Sequence, residues 1–131
     1  MRCANWLARA TLATLAMIIA LAACRGDETL TGYGAADRDW HLDTARLTLR
    51  FGTGGKVSGH GPCNSFTATQ TAPYPWFDLG GFEATEHSCP GRATETALFA
   101  RLATMTLAEV ADDTLILSDD DGNRMVFSTA P

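Results

Sequence analysis

The chain has 131 residues, with fifteen Asp and Glu against ten Lys and Arg and a formal charge of −5. That length accommodates one domain and is short for two, since domains cluster at about 100–150 residues. The acidic balance argues against nucleic acid as a partner, because phosphate backbones are held by basic patches. It also opposes electrostatic adhesion to anionic lipid.

Arg2 and Arg9 flank a short basic start, and Ala10 to Ala20 (ATLATLAMIIA) is uncharged and mostly apolar. The stretch is short of the about 20 residues that span a bilayer, but it suits the core of a secretory signal. It ends in Leu21-Ala22-Ala23-Cys24. This resembles the lipobox of bacterial lipoproteins, in which the cysteine is acylated and becomes the first mature residue. An ordinary Ala-x-Ala cleavage site or an uncleaved anchor is the alternative. The resemblance implies a signal peptide over 1–23, lipidation of Cys24 and attachment to a membrane through that lipid. Arg25 stands where an Asp would retain a lipoprotein at the inner membrane. The expected location is therefore the periplasmic side of the outer membrane, in a cell that has one. Each buried methylene contributes about 0.8 kcal/mol, so several acyl chains anchor firmly where one anchors marginally.

The mature chain would carry all fifteen acids but only eight of the ten basic residues, a formal −7. Cys3 falls in the signal and Cys24 takes the lipid. Cys63 and Cys89 remain, an even pair in an oxidising compartment.

Residues 25–38 (RGDETLTGYGAADR) have little apolar periodicity and read, with Cys24, as a lipidated flexible tether over 24–38. The domain follows over 39–131. Arg46 to Phe51 alternates cleanly, with Leu47, Leu49 and Phe51 on one face, as a half-buried strand requires. Gly52, Gly54 and Gly55 turn the chain, and Lys56 to Gly59 resumes as a strand. Asn64 to Thr69 is another. Pro73 and Pro75 break the chain. Trp76–Leu79 and Phe82–Thr85 then read as a hairpin about Gly80-Gly81.

One helix is predicted from about Arg92 to Met105, with Leu98, Phe99, Leu102 and Met105 at helical spacing and Pro90-Gly91 before it. Thr106–Ala111 and Thr114–Ser118 pair about Asp112-Asp113, and Arg124–Ser128 follows the DDDGN turn at 119–123. Roughly eight short strands and one helix predict a mainly β (α+β) domain. Its antiparallel sheet would curl toward a small barrel, with the helix packed on it.

Several residues fall in a familiar order: Trp40-His41-Leu42, Val57-Ser58-Gly59 leading to Cys63-Asn64-x-Phe66, and Thr85 four residues before Cys89. Glu95, Phe99 and Leu102 on the helix, Leu115-x-Leu117, and Val126-Phe127 complete it. Together they resemble the META domain of HslJ-type bacterial envelope lipoproteins, over about residues 39–128. Pro62, between Gly61 and Cys63, departs from the family's usual Gly-Cys-Asn, and His87 stands where a small or apolar residue is usual. The resemblance implies a compact, mainly β domain without catalytic activity, loosely associated with envelope stress, secretion or virulence.

The residues offer other chemistry. His60, Cys63, His87 and Cys89 could supply four tetrahedral zinc ligands, although the His-x-x-Cys and His-x-Cys spacings are unusual. A nucleophilic cysteine needs a cation, imidazole or helix N-terminus beside it. Cys89 precedes the helix and His60 is near Cys63, yet no third orienting group is evident. Two buried free thiols are a further alternative. A Cys63–Cys89 disulfide fits compartment and count best.

Asp119-Asp120-Asp121-Gly122 lacks the terminal Glu of a calcium loop and reads as a turn. Asp112 and Asp113 are adjacent and likewise read as a turn, not an acid–base pair. Tyr74, Trp76 and Phe77 form an aromatic cluster, the first place to look for a binding surface, with core packing as the alternative. The expected protein is non-catalytic, without metal or cofactor, acting through contacts with an unspecified protein partner or the envelope. The alternatives are a small-ligand barrel with Tyr74 and Trp76 at its mouth, and a Cys/His thiol or zinc enzyme.

Overall fold

A computed structural model describes residues 28–129. Eight antiparallel strands form one curled sheet: β1 (Asp39–Leu42), β2 (Thr48–Phe51), β3 (Lys56–His60), β4 (Ser65–Thr69), β5 (Gly80–Ala84), β6 (Leu107–Ala111), β7 (Thr114–Ser118) and β8 (Arg124–Ser128). Their order is β5-β4-β3-β2-β1-β8-β7-β6. Two meanders thus meet at the β1–β8 pair, and the chain leaves one edge of the sheet at β5 and returns at the other edge at β6. The helix α1 (Arg92–Ala103) makes that journey. The mainly β architecture with one packed helix is the predicted one.

Period-two alternation sets the two faces of the sheet. Trp40, Leu42, Leu49, Phe51, Val57, Phe66, Ala68, Ala108, Leu115, Leu117, Met125 and Phe127 point inward and are buried. The helix turns Glu95, Leu98 and Leu102 toward them, a single stripe at spacings of three and four. Met105 follows the helix into the same core. Helical geometry stops at Ala103, two residues before the predicted end, where Thr104 and Met105 form a turn on the carbonyls of Arg101 and Leu102.

Two expectations over the connecting segments are corrected. The hairpin predicted for Trp76–Leu79 and Phe82–Thr85 does not form. Gly80 and Gly81 lie within β5, which pairs with β4 instead. Residues 75–77 run along the open edge of β6, where unpaired backbone groups are available. Phe77 N–H donates to the Thr106 carbonyl at 2.8 Å, and Ala108 N–H to that of Pro75 at 2.8 Å.

The described part of the expected tether, residues 28–38, is docked rather than loose. Leu30 and Ala35 are fully buried in the core, and a wide turn at Thr31–Ala35 lets the Trp40 indole N–H donate to the Ala35 carbonyl at 3.0 Å. Two small or apolar side chains with a core to enter outweigh the polar composition of the segment. Cys24 and the signal over 1–23 lie outside the described residues.

Candidate functional site

The Gly61-Pro62-Cys63-Asn64 corner joins β3 to β4 beneath the start of α1. Cys63 and Cys89 are joined by a disulfide, with Cα atoms 5.9 Å apart. Pro62 does not keep them apart. Its ring lies against Gly91, where a Cβ would come within 2.9 Å of the Pro62 Cβ.

Beside the disulfide, Glu95 is buried, 3% exposed, and its carboxylate is fully engaged. Oε2 accepts the N–H groups of Cys63 and Asn64 at 2.6 and 2.7 Å. Oε1 accepts the Asn64 side-chain amide at 2.6 Å. The Asn64 carbonyl in turn accepts the Thr85 hydroxyl at 2.9 Å and the His87 N–H at 2.6 Å, and its amide also donates to the His87 carbonyl at 3.2 Å. Gly61 is the close-approach position, since a Cβ there would meet Glu95 Oε2 at 2.6 Å. Burial by itself would raise the Glu95 pKa. The hydrogen bonds from Asn64 and Cys63, helped by the Arg92 guanidinium, outweigh it and hold the carboxyl below its ordinary value.

This cluster ties three segments together: the β3–β4 corner, the stretch from Thr85 to Cys89 and the start of α1. The disulfide consumes both thiols, so neither the thiolate nor the zinc reading applies to Cys63 and Cys89. His60 and His87 are both exposed. His60 ends β3 on the outer face, and His87 enters the network only through its backbone. Among the described residues no group of three or more His, Cys, Asp or Glu is placed to hold a metal. The sequence reading missed the partnership of Glu95 with Asn64. Its signal was a carboxylate on the apolar stripe, three residues before Leu98 and four before Phe99.

The acidic stretches are turns. Asp119 accepts N–H groups from Asp121 and Asn123 on Oδ1 at 3.0 and 2.8 Å and the Asn123 amide on Oδ2 at 2.8 Å. The Asn123 side chain is the main cause of its lowered pKa. Asp112 and Asp113 form the tight β6–β7 connection, where Arg38 caps the Asp112 carbonyl and pairs with the exposed Asp113.

The three aromatics named from the sequence part company. Phe77 is buried and belongs to the core, not to a surface. Tyr74 is half-buried, stacks on Tyr33 with ring centroids 4.2 Å apart, and accepts the Val110 N–H on its hydroxyl at 3.4 Å. Trp76 is 58% exposed. Gln70, buried beneath them, braces the loop by donating to the Trp76 carbonyl at 3.0 Å and accepting the Asp78 N–H at 2.7 Å. Tyr33, 52% exposed, was passed over because it lies in the segment read as tether. The curl of the sheet is filled by Trp40, Phe51, Leu102 and Phe127, so the interior expected of a ligand barrel is occupied by side chains. An open groove of about 460 Å³ crosses the outer face instead, bordered by His41, Thr48, Arg50, Ser58, His60 and Thr67.

A single curled antiparallel sheet wrapped on one helix, pinned by a disulfide and a buried carboxylate, defines a small, mainly β module. The chain belongs to the META domain family, which it matches over residues 24–131. An NMR structure of a protein from Burkholderia xenovorans is similar, with a TM-score of 0.61 and 19% identity over 81% of this chain and 92% of that one. A crystal structure of a DUF4847-family protein from Bacteroides vulgatus has a TM-score of 0.62 and 11% identity, covering 76% and 96%. At these identities the likeness is one of fold. No curated protein matches the sequence.

Proposed function

We propose that this chain is a lipid-anchored protein of the bacterial envelope, of the HslJ type. Its META domain is a non-catalytic module that maintains the envelope, or answers stress on it, through protein or envelope contacts. The observation that carries this reading is the closed corner at Cys63, Asn64, Cys89 and Glu95. Every group there with catalytic potential is bound into structure, and a free thiolate or an unpaired carboxylate would have argued otherwise. A disulfide suits an oxidising compartment outside the cytoplasm. The basic start, the apolar stretch and Leu21-Ala22-Ala23-Cys24 supply the corresponding export and acylation signals.

The test is expression of the full chain in a Gram-negative host, separation of inner and outer membranes, and intact mass of the purified protein. The expected product begins at an acylated Cys24 and sediments with the outer membrane. Cys24→Ala should abolish the acyl mass and prevent processing at that site. A wild-type product that retains residues 1–23, or is cleaved without acylation, would overturn the anchor. A role in envelope stress predicts that a deletion strain becomes sensitive to detergent or to envelope-directed antibiotics, with rescue by the wild type and not by Cys24→Ala.

A further inference from the structure

Tyr33 and Trp76 are the two large apolar side chains most exposed among the described residues, and the segments that carry them meet at one face through the Tyr33–Tyr74 stack and the Thr29–Pro73 bridge. Tyr33 stacks on Tyr74, which is separated from Trp76 only by the exposed Pro75. The two segments that build this face, residues 29–36 (TLTGYGAA) and 71–77 (TAPYPWF), contain no charged side chain. Charged groups border it from neighbouring elements: Glu109, Asp119 and Arg124 line a cavity of about 340 Å³ together with Pro75.

The chain also enters the domain here. Tyr74 N–H donates to the Glu28 carbonyl at 2.7 Å, and Thr29 pairs with Pro73. Cys24 is four residues before Glu28, so even fully extended the intervening chain reaches only about 14 Å. An acylated Cys24 would therefore hold this face, and not the opposite side of the sheet, against the lipid headgroups.

We propose that Trp76 and Tyr33 dock the domain on the bilayer interface and set its orientation there. The inference rests on the anchoring proposed above, and it names the surface that the anchor brings to the membrane. Indole and phenol rings favour the headgroup level, where an apolar body and a polar edge are both satisfied. The loop presents Trp76 in a fixed position. Gln70 holds it from within, and the β6 edge holds it along its length. Such a patch is a weak second signal beside the acyl chains, which supply the affinity. Glu28, Asp37 and Asp78 bound the two segments in sequence, so zwitterionic lipid is the expected surface.

A chain beginning at Cys24 contains two tryptophans, Trp40 and Trp76, and Trp40 is 0% exposed. The test places the acylated protein in phosphatidylcholine vesicles with and without brominated phosphatidylcholine. A parallel sample couples the 24–131 chain, through its Cys24 thiol, to a maleimide-bearing lipid in the same vesicles. The expected result in both is a blue shift and loss of the Trp76 emission in brominated vesicles, with the residual Trp40 emission of Trp76→Phe unchanged. Equal quenching of wild type and Trp76→Phe would overturn the docking face. So would a blue shift without bromine quenching, which signifies contact with another copy of the chain. If cells do not acylate Cys24 but the coupled chain is quenched, the anchoring reading fails while the face retains its bilayer affinity. If the acylated and coupled chains are both unquenched, the face fails and the anchor stands.

Discussion

Glu95 and Asn64 are joined twice, through the backbone N–H of Asn64 to Oε2 at 2.7 Å and through its side-chain amide to Oε1 at 2.6 Å. One residue begins the return from the β3–β4 turn and the other lies in the first turns of α1. Their pairing fixes how the helix crosses the sheet.

Glu95→Ala should be among the most destabilising substitutions in the domain. It leaves three N–H donors without an acceptor, and the loss should be about 3 kcal/mol. Glu95→Gln retains one acceptor but turns an amide against the donors, so it should lose less. Urea unfolding should show a lower midpoint at unchanged slope. A midpoint for Glu95→Ala equal to that of the wild type would remove Glu95 from the account of stability.

The depressed pKa of Glu95 gives the sign of the acid response. Its folded value lies below its ordinary 4.5, so the unfolded chain takes up the proton more readily as pH falls. The stability contributed by the carboxylate is fully present above the unfolded value and is lost as pH falls through the folded one. The gap between wild type and Glu95→Gln should therefore be constant from neutrality down to about pH 5, then narrow on further acidification. A gap that does not change with pH would show that charge on Glu95 contributes nothing.

Removing the disulfide by Cys63→Ser with Cys89→Ser should reduce stability by about 3.5 kcal/mol in the loop-entropy description, for cysteines separated by 26 residues. The bridge and the Glu95 hydrogen bonds hold the same corner, because Cys63 belongs to both. Their losses should be non-additive. In a double-mutant cycle, Glu95→Ala should cost less in the cysteine-free background, with a coupling of about 0.5–3 kcal/mol. Strict additivity would mean that the two fastenings act independently.

Leu30→Ala tests whether the segment before β1 is part of the fold. A fully buried leucine typically loses about 2–5 kcal/mol on truncation to alanine, whereas a leucine in a loose tether loses nothing. Thermal unfolding distinguishes the two directly. Hydrogen exchange at Ala35 and Trp40 should accelerate in the variant, because the wide turn that supports the Trp40 indole loses its packing.

Local pattern alone determined most of the strands, the helix and the turns in this protein. Alternation in Arg46–Phe51 or Thr114–Ser118 reflects a period of two that any half-buried strand imposes, and the Asp-rich turns report residue preferences that act within a few positions. Compartment and cysteine count pointed to Cys63 and Cys89. Only the tertiary structure decided what met across long separations. Phe77 went to the core, Gly80 to β5, and residues 75–77 to the β6 edge, because open strand edges and core volume lie far from these residues in sequence. The same holds for Leu30, whose neighbours are polar but whose burial site is made by strands downstream. It holds most clearly for Glu95. A carboxylate on an apolar helix stripe is a cost in isolation, and it became a fastening because folding brought Cys63 and Asn64 to within hydrogen-bonding distance.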